Sequence, residues 1–140
     1  MPIEDHVKKF VSLMNKRDLN GLAETMAAQV TIIDPTSPQP IKGKAAVRKN
    51  FGAWFKAFPD FQMKTRTVMG KGNTAVLEVT ISGTNNGPWE GPQGTMPATK
   101  KKMQMMGVGI QRYNAKGLLL EERRYFDPSG MMRQLGLLKG

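Results

Sequence analysis

The chain has 140 residues, 39% of them hydrophobic, no cysteine and a formal charge of +10. That length suits one domain with a real core, and the apolar fraction is too high for a disordered chain. Disulfides, thiol catalysis and cysteine-ligated metal are excluded, and no apolar run approaches the ~20 residues of a membrane-spanning helix.

Glu4 and Asp5 precede any apolar stretch, so the N-terminus does not read as a signal peptide, and a cytoplasmic protein is expected. Val7, Phe10, Val11 and Met14 then follow the i, i+3, i+4, i+7 spacing of a helix face. Asp18 reads as the N-cap of a second short helix that turns Leu19, Leu22, Ala23 and Met26 inward. Val30 to Ile33 forms a strand stopped by Asp34-Pro35, and the Pro-rich stretch to Pro40 is a loop. A third helix is predicted from about Lys44 to Phe58, with Val47, Phe51, Trp54, Phe55 and Phe58 as its apolar stripe and Pro59 as its stop.

The remainder reads as β. Residues 61–69 alternate, Lys71-Gly72-Asn73 turns, and Ala75, Leu77, Val79 and Ile81 share one face of the next strand. Residues 83–99 carry four glycines and three prolines around Trp89, which predicts a long, mobile loop of the kind that often binds or covers a ligand. Strands are expected from Thr99 to Tyr113 and from Leu118 to Phe126, joined by a turn at Asn114-Ala115-Lys116-Gly117, while the tail from Met131 stays unassigned. Helices first and antiparallel strands after predict a single α+β domain over residues 1–140. Its core would include Val7, Phe10, Leu22, Ile32, Phe51, Trp54, Phe55, Leu77, Val79 and Ile81.

Basic residues are spread from Lys8-Lys9 to Lys139, with one tight run at Lys100-Lys101-Lys102 and acidic residues interspersed. No nucleic-acid motif accompanies them, so a solvated basic surface is expected rather than a nucleic-acid partner. The single His6 excludes both a Ser-His-Asp triad and a histidine metal cluster, and no metal site is expected. Residues 83–94 lack the Gly-Lys-Ser/Thr of a phosphate-binding loop. Carboxylates remain. In the last strand Glu121, Arg123, Tyr125 and Asp127 share one face, and Leu118, Leu120, Glu122, Arg124 and Phe126 share the other. A solvated strand and a cavity-lining strand both give this pattern. If the first face looks into a cavity, Asp127 is partly desolvated and placed to act as a general base.

Several motifs in order resemble one family: Phe58-Pro59-Asp60, Gly83-Thr84-Asn85-Asn86-Gly87-Pro88-Trp89-Glu90-Gly91, Pro97-Ala98-Thr99, Tyr125-Phe126-Asp127 and Arg133-Gln134-Leu135-Gly136. Together they are similar to the SnoaL-like polyketide (ester) cyclases of the nuclear transport factor 2-like superfamily. The resemblance implies a strongly curved antiparallel sheet closed by N-terminal helices into a cone-shaped barrel with an internal apolar pocket, assembled as a homodimer. It implies aldol cyclisation of a hydrophobic polyketide ester without cofactor or metal, with Asp127 at the position of the family's acid–base aspartate. The candidate pocket residues are then Tyr125, Arg123, Asn85, Trp89, Trp54 and Met105. Asn85 stands where relatives often have histidine, and Lys100 stands where they usually have glycine. Two other readings accompany the cyclase: isomerisation by the same proton abstraction, and a non-catalytic protein of the same fold that binds a small hydrophobic molecule.

Overall fold

The computed structural model describes residues 2–91 and 94–138. Helix α1 spans Ile3–Lys16 and buries Val7, Phe10 and Met14, the stripe its spacing predicts. It is laid against the sheet by polar ties: the Asn15 side chain donates to the Met63 carbonyl at 2.9 Å and accepts from the Met63 N–H at 2.7 Å, and Arg17 donates to the Phe61 carbonyl at 2.9 Å. Helix α2 (Leu19–Glu24) starts at Asp18, whose carboxylate accepts from the Gly21 N–H at 2.9 Å. Helix α3 (Lys44–Ala57) buries Val47, Phe51, Trp54, Phe55 and Ala57. A fully buried phenylalanine such as Phe51 contributes about 1.5–3 kcal/mol.

Six strands form the main sheet: β1 (Met26–Ile33), β2 (Ile41–Lys42), β3 (Gln62–Lys71), β4 (Thr74–Thr84), β7 (Lys102–Tyr113) and β8 (Leu119–Tyr125), in the order β2-β1-β8-β7-β4-β3. The remaining strands, β5 (Trp89–Gly91) and β6 (Gly94–Met96), pair as a separate hairpin, and helix α4 covers Pro128–Gln134. Register shifts at Thr65/Thr67 and Arg112/Tyr113 mark bulges, which bend strands and deepen the curvature. Helix α1 packs on β3 and β4, and α3 packs on β1 and β2, so the helices fill the concave face. Among the described residues the edge strands β2 and β3 do not pair, so the cone is an open curved sheet and not a closed barrel. The sheet is antiparallel except where β1 meets β8, a parallel pair. Among the described residues no helix is long and apolar enough to cross a membrane.

The α+β class and the three predicted helices are as the sequence implies, except that α2 ends at Glu24 and Met26, expected on its inward face, opens β1; every residue of the predicted core is buried except Ile81, which is half-buried. Residues 83–99 depart from the expected long loop. β4 continues to Thr84, and the β5–β6 hairpin occupies the middle, with residues 92–93 outside the described set. The segment is clamped by Asn85, which is 3% exposed. Its amide donates to the carbonyls of Ala57 (3.2 Å) and Gly87 (2.9 Å), and its oxygen accepts from the Thr99 N–H (2.9 Å) and hydroxyl (3.0 Å). The Lys100 N–H closes the clamp on the Asn85 carbonyl at 2.9 Å. Lys100 takes φ +66° to do so, a left-handed conformation that favours glycine, and a lysine there costs about 1–2 kcal/mol.

Candidate functional site

Between the helices and the concave face lies a cavity with about 570 Å³ of empty space, mouth included. Its wall is aromatic and methionine-rich: Phe10, Phe51, Trp54, Phe61 and Phe126, with Met14, Met63 and Met105. Strand β7 turns Gly107 and Gly109 toward it, where any larger side chain would enter the hollow. The charged residues in the lining are Glu122 and Arg124 of β8.

These two head a buried polar network. Arg124 donates from Nε to Glu122 Oε1 at 2.7 Å, and from Nη1 to Asp34 Oδ2 at 2.9 Å and Asn50 Oδ1 at 2.8 Å. Its guanidinium carbon lies 5.0 Å from the Phe51 ring centroid, a cation–π contact. Burial disfavours the cation, but Glu122 and Asp34 outweigh it and raise the Arg124 pKa. Asp34 also closes the turn after β1, accepting from the Thr36 N–H at 2.7 Å and hydroxyl at 2.5 Å. On the other side Gln111 Nε2 donates to Glu122 Oε2 at 2.5 Å, and the Tyr113 hydroxyl donates to Gln111 Oε1 at 2.5 Å. A carboxylate only accepts, so the amide nitrogen must face Glu122, and the tyrosine must then keep its proton to satisfy the amide oxygen. Burial, and then the Glu122 charge, pushes the Tyr113 hydroxyl pKa well above its ordinary value. His6 stacks on the far side of Tyr113 at 5.3 Å between centroids and takes no part in the cavity lining.

The predicted site residues are divided by this geometry. Trp54 and Met105 line the cavity, and Tyr125 borders it although its side chain is largely exposed. Arg123 lies outside, paired with Glu121 at 2.8 Å. Asn85 and Trp89 border a second hollow, and all the hydrogen-bonding capacity of the Asn85 amide shown above is spent on the loop. Asp127 is exposed, stands at the N-cap of α4 without a capping side-chain bond, and is absent from the lining of both hollows. The cavity therefore lies on the Glu122/Arg124/Phe126 face, and of Glu121, Arg123, Tyr125 and Asp127 only Tyr125 reaches its rim. A bulge interrupts the strand just before these faces begin. Tyr113 pairs with Leu119 but Arg112 pairs with Glu121, so Leu120 is an extra residue and the inward phase changes between Leu119 and Glu122. Both of these are buried although they are three apart.

Sequence reasoning missed Glu122, Arg124, Gln111 and Asn50, and gave Asp34 a turn role only. The available signal was the charged pair Glu122-x-Arg124 within a face otherwise apolar at Leu118, Leu120 and Phe126. One more feature was invisible in sequence: Trp54 Nε1 is buried with no hydrogen-bond partner among the described residues.

A family model described as SnoaL-like polyketide cyclase matches residues 4–135 of this chain. Among solved structures, TsrD from Streptomyces laurentii superposes with a TM-score of 0.80 at 22% identity, covering 97% of this chain and 96% of its own. A protein from Jannaschia sp. CCS1, provisionally described as a SnoaL-like polyketide cyclase, gives 0.81 at 20% identity, with 99% and 97% covered. SalBIII, described as an epoxide hydrolase/cyclase-like enzyme in pyran ring formation in the polyether salinomycin, gives 0.75 at 16% identity, with 91% and 92% covered. At these identities the structural likeness speaks for the fold.

Proposed function

The chain belongs to the SnoaL-like polyketide cyclase family, and from that premise we propose that it is a cofactor-independent acid–base enzyme acting on an activated C–H bond of a hydrophobic carbonyl or ester compound. The observation that carries this reading is a buried carboxylate, Glu122, facing an apolar cavity beside a guanidinium. Each Glu122 oxygen accepts one hydrogen bond from the protein, which leaves a lone pair on each for a substrate proton. Glu122 takes the proton from a carbon flanked by carbonyls, and the electron pair moves onto the carbonyl oxygen as an enolate. Arg124 supplies positive charge at that developing oxyanion inside a water-poor site, where such charge acts most strongly. The enolate carbon then attacks a second carbonyl of the same molecule, a C–C bond forms, and the new alkoxide recovers the proton from Glu122. Aldol cyclisation and isomerisation share the first step and differ in what the enolate does next.

Deuterium uptake from D₂O into a panel of β-keto esters and enones tests this step directly. Wild type, Glu122→Gln and Asp127→Asn are compared. Exchange lost in Glu122→Gln alone supports the assignment, and exchange lost only in Asp127→Asn returns the chemistry to the strand-end aspartate. Binding of panel members with no exchange in wild type supports a non-catalytic binding protein.

A further inference from the structure

A second and larger hollow, with about 1080 Å³ of empty space including its mouth, lies between the β5–β6 hairpin and α4. It is lined by Phe58, Trp89, Met96, Met131, Met132 and Leu135, among others, and shares no lining residue with the inner cavity. One aromatic wall separates the two. Trp54, from the inner lining, meets Trp89 edge-on with 4.7 Å between centroids and stacks beside Phe58 at 6.0 Å, and both partners belong to the outer lining. Phe126, again of the inner lining, closes on Trp54 at 6.0 Å.

That wall contains the unsatisfied Trp54 N–H. A buried donor left without an acceptor costs about 1–3 kcal/mol and requires an explanation. Contacts with the neighbouring rings are second-order compensation. A ligand oxygen that reaches this N–H removes the cost. The outer lining offers such a molecule apolar surface, including three methionines that adapt to irregular shapes. The Asn85 amide in that lining is already saturated by the loop.

We propose that the outer hollow is a second subsite for the same ligand, taking the apolar arm of an elongated, oxygenated chain whose reacting carbonyl end occupies the inner cavity. The Trp54 N–H donates to an oxygen where the chain passes the wall, and the Trp89 ring, half-buried on the short hairpin, turns aside to admit it. The inner end of this ligand rests on the function proposed above; the outer subsite does not.

Calorimetric titration with 3-oxo methyl esters of increasing chain length tests the subsite, with wild type compared with a Met96→Gln/Met132→Gln double variant. In wild type each added methylene is expected to tighten binding by up to about fourfold well beyond the length the inner cavity holds. In the double variant that gain stops early, while short esters bind equally to both proteins and so report an intact fold. A long ester bearing a mid-chain ketone should bind wild type about two- to tenfold better than its methylene counterpart, and Trp54→Phe should erase the preference. Equal length dependence in wild type and double variant, or a ketone preference that survives Trp54→Phe, overturns the proposal. If short esters neither bind nor exchange, the carbon-acid chemistry fails by itself. Methyl esters of saturated fatty acids then decide the outer subsite by the same comparison of slopes.

Discussion

Strand β8 carries the same dipeptide chemistry twice, once on each face. Glu121 and Arg123 form an ion pair at 2.8 Å on the outer face, and Glu122 and Arg124 form one at 2.7 Å on the inner face. Residue type and spacing are identical, and the surroundings differ. The Arg123 and Glu121 side chains keep 39% and 23% of their exposure, whereas those of Arg124 and Glu122 keep 13% and 5%. Water screens the outer pair, and exposed pairs of this kind contribute about 0–1 kcal/mol. The inner pair has lost its hydration and depends on Asp34, Asn50 and Gln111 to replace it. The proposed chemistry is therefore assigned to the inner face, where a carboxylate has left water.

Glu122→Gln tests that contrast with the largest effect. Deuterium uptake into a responsive β-keto ester should fall by about 10²–10⁴-fold, the usual contribution of general-base catalysis. Glu121→Gln should change it by no more than about twofold. Equal losses in the two variants would abolish the distinction between the faces. The same faces can be compared for stability. Arg124→Met leaves Asp34 and Glu122 buried without their cation and should cost about 3–5 kcal/mol in urea unfolding. Arg123→Met should stay within about 0.5 kcal/mol.

The tyrosine behind Glu122 sharpens the comparison by titration. Tyr113 is buried and hydrogen-bonded to Gln111, and Tyr125 is exposed. Burial, with the Glu122 charge second, raises the folded pKa of Tyr113 above its unfolded value. Its neutral form is thus favoured by folding. That contribution is whole below about pH 10 and is lost as pH rises further toward the folded value. Tyr113→Phe should lose about 1 kcal/mol at neutral pH and show a shallower stability decline above pH 10 than wild type. Parallel alkaline curves for wild type and Tyr113→Phe would contradict the assignment.

Much of this molecule was readable in the sequence because its helices and most strands follow a single apolar period. Val7, Phe10 and Met14, or Leu77 and Val79, are buried where spacing places them. The site was legible only in part. The motif ending in Asp127 follows the strand that carries Glu122 and Arg124, but which face of that strand turns inward is decided by long-range packing, and the extra residue at Leu120 has no glycine or proline to signal it. Asp34 and Asn50 reach Arg124 from 90 and 74 residues away, contacts that no local pattern encodes. Lys100 is the opposite case. Its place in a glycine-favoured position is readable in sequence and matches the left-handed backbone it adopts.

The smallest expected effect concerns two aspartates that sit in turns, Asp34 inside and Asp60 outside. Asp60 accepts from the Thr84 N–H at 2.7 Å, at the point where β4 leads into the clamped segment. Partial burial pushes its pKa up, but the hydrogen bonds from Thr84 and the charge of Arg17 prevail and hold it below the ordinary value. A depressed carboxyl stabilises the fold above its unfolded pKa of about 4. That contribution fades as pH falls through the lower folded value. Asp60 is exposed, so the contribution at neutral pH should be at most about 1 kcal/mol. Asp60→Asn should unfold at slightly lower urea at pH 7 and converge with wild type as the pH drops below 4, with ligand affinity in the inner cavity unchanged. A gap that persists undiminished into acid would mean that Asp60 acts through shape alone, and the outer turn would then owe nothing to charge.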